Sequence, residues 1–246
     1  MQKVRKRGVL VGLGIPVLVA ALFGLSQLGG SSDGSSDTTP TDSTPTETPT
    51  TLPGRSITGT TPCPASDGSE ERATTFEQAP DTCIDSAKTY KAVFDTTEGT
   101  IEVALDVKNT PNTVNNFVVL SRYKYFDTSY IFRTDPSLDI IQGGGASNTD
   151  GPGYTILDEG TGYAYSAGDL VMARSSAENS GGGQFFFVTG PNASVLDSQG
   201  TYVTFGKITK GLEVAQAILA LNEGSGDLGG APSRPVQVKT VTIVES

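Results

Sequence analysis

Three apolar segments of this 246-residue chain carry polar groups where a buried strand would ordinarily carry none. The first runs through Phe132-Arg133 to Ile140-Ile141-Gln142-Gly143-Gly144. The second is Leu170-Val171-Met172-Ala173-Arg174. The third is Gly183-Gln184-Phe185-Phe186-Phe187-Val188-Thr189-Gly190, followed by Leu196-Asp197 and Tyr202-Val203-Thr204-Phe205-Gly206. An arginine stays charged across physiological pH and offers five N–H donors in a planar fork. Set beside amides and an aromatic ring, it can stabilise a lone pair or partial charge that develops on a bound ligand.

The composition removes most other chemistries. The chain has no histidine, so it lacks the commonest general base and the commonest zinc ligand. Serine–histidine and cysteine–histidine hydrolysis are thereby excluded. Its two cysteines, Cys63 and Cys83, form no Cys-x-x-Cys spacing and are too few for a zinc site. They are read as one disulfide spanning 20 positions (83 − 63). No metal and no cofactor are expected. The net charge is -10, with a pI near 4.5. Such a chain repels phosphates, so nucleic acid is not an expected partner.

The elements that must position these residues begin far from the N-terminus. Residues 1–28 open with Lys3, Arg5, Lys6 and Arg7, then run uncharged and mainly apolar from Gly8 to Leu28. That length suits a single membrane span with a positive-inside flank. A cleaved secretory signal is the alternative. Either way the remainder is expected outside the cytoplasm, which fits a disulfide. Residues 29–62 are Ser/Thr/Pro-rich and nearly free of apolar residues, and read as a disordered linker. Residues 63–87 read as a polar, disulfide-closed lead-in packed loosely on a folded domain spanning 88–246.

Within that domain the apolar period is mostly two. Tyr90, Ala92 and Phe94, then Ile101, Val103 and Leu105, predict a β-hairpin about Glu98-Gly99. Thr110-Pro111 predicts a helix start, with the threonine hydroxyl as cap and proline at the first helical position. Val114, Phe117, Val118 and Ser121 then share one helical face. Short strands are expected over 130–133, 140–143, 170–173, 184–188, 203–208 and 236–244, with a second helix over 212–221. These elements suggest a mainly-β, closed, eight-stranded antiparallel barrel capped by two helices.

At these residues the sequence resembles the cyclophilin family of peptidyl-prolyl isomerases. The match rests on six patterns in family order: the aromatic–arginine pair, Gln-Gly-Gly, Met-Ala-Arg, Gly-x-Gln-Phe-Phe, Leu-Asp and Val-x-Phe-Gly. They cover roughly 88–245. The resemblance implies the same barrel and rotation about X-Pro bonds of polypeptide segments. It implies Arg133 as the catalytic residue. Phe186 corresponds to the aromatic floor of the proline pocket, and Ile140 and Leu196 to its lining. Gln142 and Gln184 correspond to amides that hold the substrate carbonyl and orient the arginine. Ala173 and Arg174 correspond to backbone that pairs with the substrate. Tyr202 stands at the rim where many relatives carry histidine.

Two departures from the family pattern are visible. The loop between Arg133 and Gln142 is one residue longer, and Asp139 replaces an aromatic, leaving Leu138 or Ile140 to form that wall. Val195 stands where relatives often carry a tryptophan that donates to cyclosporin, so weak inhibition is expected. The chain thus reads as a monomeric, exported and tethered isomerase acting on proline-containing segments of exported proteins. It contacts membrane only through its N-terminal helix. A module that binds such segments without turnover is the alternative.

Overall fold

A computed structural model describes residues 51–226 and 228–246. The expected membrane span, and the linker up to residue 50, lie outside these described residues. Among the described residues no helix is long and apolar enough to cross a membrane.

The domain contains β1 (Arg55–Ile57), β2 (Ala73–Phe76), β3 (Tyr90–Thr96), β4 (Thr100–Leu105) and α1 (Pro111–Arg122). Then follow β5 (Ser129–Asp135), β6 (Ile140–Gly145), β7 (Asp169–Met172), β8 (Phe185–Val188) and a 3-10 helix (Pro191–Ser198). The chain ends with β9 (Thr204–Lys210), α2 (Leu212–Leu219), β10 (Asn222–Gly226), β11 (Gly229–Pro232) and β12 (Val236–Glu245). Strands β5-β12-β3-β4-β9-β7-β8-β6 are hydrogen-bonded in that order, and β6 returns to β5. The result is a closed barrel of eight antiparallel strands, so no edge of that ring is left unpaired. The β10–β11 hairpin was not anticipated. It joins the barrel through the pairing of Gly230 with Thr134.

Alternation sorts the side chains as the sequence suggested. Tyr90, Ala92, Phe94, Ile101, Val103 and Leu105 are buried in the main core. Phe117 of α1 packs on Phe94, Phe126, Phe185 and Phe205 at ring separations of 4.9–6.3 Å. This joins the helix to the barrel interior. Val114, Val118 and Ser121 are buried on the same helix.

The helix cap differs from expectation. The Thr110 hydroxyl donates to Asp106 O (3.0 Å) and makes no cap bond. The free N–H groups of Asn112 and Thr113 instead donate to the Glu159 carboxylate, at 3.0 and 2.6 Å. A distant anion thus satisfies donors that the first turn leaves open, and also meets the positive end of the helix dipole.

Order also begins earlier than the expected end of the linker at residue 62. Strand β1 pairs in parallel with β2, and Ile57, Ala73 and Phe76 belong to the main core. The lead-in is therefore part of the core rather than loosely laid on it. Phe76 packs edge-on against Tyr123 and Tyr154, with centroids 5.5 and 6.2 Å away. Arg72 donates to Lys124 O and Asp127 O, at 3.1 and 2.8 Å, tying the segment to the turn after α1. Cys63 and Cys83 are disulfide-bonded.

Candidate active site

A single cross-strand row carries the candidate chemistry. Arg133 of β5 lies opposite Gln142 of β6, Gln142 opposite Phe186 of β8, and Phe186 opposite Val171 of β7. The row lies on the outer face of the barrel. Phe185 and Phe187 point the other way and belong to the interior core, 5.4 and 5.2 Å from the Phe94 ring. Phe186 belongs to a separate apolar cluster with Ile140, Tyr165, Val171, Val188 and Ala193. Leu138, Ala173, Leu196 and Tyr202 pack around its margin.

Arg133 reaches that face through an irregularity. Ile131 is opposite Gly143, yet Arg133 is opposite Gln142, so two steps on β5 match one step on β6. Ile131 points into the core. Regular alternation would send Arg133 there as well, because residues i and i+2 share a face. The extra residue, Phe132, forms a bulge that re-aims the arginine outward.

Three partners then fix the guanidinium. Its Nη1 donates to Gln142 Oε1 (2.9 Å), its Nη2 to Asp135 Oδ2 (2.8 Å), and its Nε to Leu228 O. Asp135 is buried, and its other oxygen accepts from Ser137 N and Oγ. Three of five N–H groups are thus used, leaving two for a ligand. Asp135 was not singled out from the sequence. The signal was present, since Arg-x-Asp on a strand places both side chains on one face. The Leu228 carbonyl comes from a hairpin with no such signal.

The amides are ordered by a chain of donors. Gln184 Nε2 donates to Asn148 O (2.9 Å) and Asp150 O (2.8 Å). Its oxygen is therefore left to accept from Gln142 Nε2 (3.0 Å). Gln142 must then present its own oxygen to Arg133. Two backbone carbonyls thus decide which way both amides point. Gln184 lies just before β8 rather than within it.

Arg174 lies at the margin of that apolar cluster, over Tyr202. Its guanidinium lies 5.3 Å from the Tyr202 ring centroid, its Nε sits 3.6 Å from Asp158 Oδ2, and Nη1 donates to Ala177 O at 2.9 Å. The Tyr202 ring meets Phe186 edge-on at 5.8 Å. Ala173 N donates to Gln184 O (3.0 Å), so of Ala173's backbone only the carbonyl remains for a ligand. Tyr165 OH donates to Tyr202 O (3.0 Å) and accepts from Tyr202 N (2.9 Å). Burial pushes its hydroxyl up to about 12.

The lengthened loop leaves the apolar cluster intact. Asp139 adopts a left-handed conformation (φ 51°), which a short polar side chain tolerates. Its Oδ2 accepts from Asn192 N (2.8 Å) in the first turn of the 3-10 helix. Leu138 and Ile140 supply the wall that the missing aromatic would form. Val195 is exposed, and its side chain offers no donor. No group of three or more acidic, histidine or cysteine side chains fit for a metal occurs among the described residues.

A closed antiparallel barrel that carries an arginine, two amides and an apolar cluster side by side on its outer face is built to hold a peptide segment, with no nucleophile–histidine pair for hydrolysis. The sequence model of the cyclophilin type peptidyl-prolyl cis-trans isomerase family matches residues 91–243. The chain belongs to that family. It is 32% identical over 159 residues to peptidyl-prolyl cis-trans isomerase A of Dickeya dadantii, covering 61% of this chain and 82% of that protein. It is 36% identical over 132 residues to isomerase B of Bacillus subtilis, covering 52% and 85%. A Cryptosporidium parvum cyclophilin type isomerase crystallised in the presence of the dipeptide Ala-Pro superposes with TM-score 0.53 at 26% identity, covering 63% of this chain and 98% of that one.

Proposed function

We propose that Arg133 is the catalytic residue of this peptidyl-prolyl isomerase and that Phe186 seats the proline ring. The carrying observation is the row Arg133–Gln142–Phe186, which sets two unused guanidinium N–H groups beside an outward-facing apolar cluster. Rotation about the prolyl amide breaks resonance and faces a barrier of about 18–20 kcal/mol. At the twisted state the proline nitrogen becomes pyramidal and gains a lone pair. A fixed cation near that nitrogen stabilises the twisted state more than the planar one, which lowers the barrier. Gln142 and Gln184 hold the arginine and the neighbouring carbonyl. Ile140 and Leu196 line the pocket, while Ala173, Arg174 and Tyr202 flank the chain before the proline. No nucleophile or cofactor enters this scheme.

The enzyme's setting belongs to the same proposal. Residues 1–28 act as a membrane anchor, and the monomeric domain works outside the cytoplasm on proline-containing segments of exported proteins. The apolar run of 21 residues, the Ser/Thr/Pro-rich stretch after it and the disulfide support this reading. Fractionation of cells making the full chain should recover it with membranes, extractable by detergent but not by salt. Recovery as a shortened soluble form would replace the anchor with a cleaved signal.

A protease-coupled assay on a short X-Pro peptide tests the chemistry. Arg133→Ala should lower kcat/KM by about 100-fold, the scale for one lost transition-state donor. Turnover within threefold of wild type would remove Arg133 from the mechanism.

A further inference from the structure

We propose that a second binding site for the same polypeptide lies on the far side of Arg133 and takes an apolar side chain two or three residues from the proline. This rests on the assignment of the Arg133–Phe186 row as the isomerase site. A cavity of about 540 Å³ opens there, a size typical of ligand pockets. Its walls come from Tyr130, Phe132 and Arg133 of β5, from Ala146 just past β6, and from Leu228 and Pro232 at the β10–β11 hairpin.

Three observations choose the occupant. Arg133 lines the cavity and also stands at the end of the catalytic row, so the two depressions share a wall. Phe132 is half-buried and available to the cavity because it alternates with Ile131, which points into the core. The walls are mostly apolar, with Arg234 at the rim already paired to Glu98 at 2.7 Å. An uncharged side chain therefore fits better than an acidic one. Spacing sets the position. Adjacent strands lie about 4.8 Å apart, and an extended chain rises about 3.3 Å per residue. A ligand crossing from the Phe186 pocket over Gln142 and past Arg133 covers roughly two strand spacings, or two to three residues.

The protein has no tryptophan, which gives a direct test. A series of alanine-based X-Pro peptides would carry one tryptophan at each position up to four residues before and after the proline. They would be titrated against the full chain and followed by tryptophan emission, with kcat/KM measured in parallel. One position, two or three residues from the proline, should bind about tenfold tighter with blue-shifted emission, the low end of what an apolar pocket contributes. Ala231 and Ala146 both line the cavity, so Ala231→Phe and Ala146→Phe are two independent ways of filling it, and each should remove that gain while leaving the alanine-only peptide's kcat/KM unchanged. Equal affinity at every position, or a gain that survives both variants, would overturn the second site alone. Absence of turnover on the alanine-only peptide by the wild type would overturn the row assignment and the second site with it.

Discussion

Arg133 donates to the side-chain oxygen of Gln142 at 2.9 Å across the β5–β6 pair, just after the register shift between Ile131 and Arg133. The bond exists because Phe132 takes up an extra place in the strand. It makes the orientation of the guanidinium depend on an amide chain that ends in the carbonyls of Asn148 and Asp150.

The first prediction concerns shape rather than charge. Arg133→Lys keeps a cation but cannot hold Gln142, Asp135 and Leu228 O at once, since an ammonium lacks the planar fork. Its kcat/KM should fall about 100-fold with little change in Tm. A lysine variant within a few-fold of wild type would mean that charge alone suffices.

Asp135 supports the arginine from within its own strand. Asp135→Asn should lower kcat about tenfold, the scale of one charge-assisted hydrogen bond, and leave KM nearly unchanged. Steady-state kinetics on one peptide separates the two. An effect on KM alone would point to substrate contact instead.

The neighbouring phenylalanines should divide structure from function. Phe185 is fully buried in the interior, so Phe185→Ala should cost about 3–5 kcal/mol in denaturant unfolding. Phe186→Ala should cost less, because its cluster is small and edged by half-buried residues, but should raise KM for X-Pro peptides. Equal stability losses with unchanged KM would contradict the division.

The lead-in should contribute to stability although it lies outside the family match, which begins at residue 91. The Cys63–Cys83 crosslink spans 20 positions, and removing it should cost about 3 kcal/mol by the chain-entropy estimate. Thiol labelling of the denatured, non-reduced protein should find no free cysteine. The double serine variant should then unfold at lower denaturant. Two labelled thiols would contradict the pairing.

Alkaline pH should weaken the fold. Burial raises the hydroxyls of Tyr125 and Tyr154, and raises that of Tyr165 to about 12. The folded state then holds these protons above the unfolded value of about 10, so this stability is complete below pH 10 and is lost as pH rises towards 12. Tm should fall over that window, together with the rise of phenolate absorbance. Titration of all tyrosines near pH 10 with no loss of Tm would contradict the burial argument.

Much of the barrel was legible because period-two alternation is a local signal. It gave the hairpin of Tyr90 to Leu105 and placed Phe186 opposite in face to Phe185 and Phe187. The order of short polar motifs similarly pointed to Arg133, Gln142 and Gln184. The N-terminal boundary was not legible, because Ile57 and Phe76 are isolated apolar residues in polar surroundings. Their burial comes from pairing β1 with β2 and from contact with Tyr123 and Tyr154.

By itself the sequence determined the residue types available for catalysis: a permanent cation, two amides and an aromatic ring, with no histidine to replace them. It also determined which strands could exist. Tertiary structure alone decided where the cation points. A bulge has no distinct sequence signature, so only the register of β5 on β6 turns Arg133 outward. The partners that hold it follow from closure of the barrel. The Leu228 carbonyl is 95 residues away in sequence, and the Asn148 carbonyl reaches Gln184 across 36. Backbone acceptors carry no residue identity, so pattern reading cannot assign them, and they become specific only when the fold brings them together.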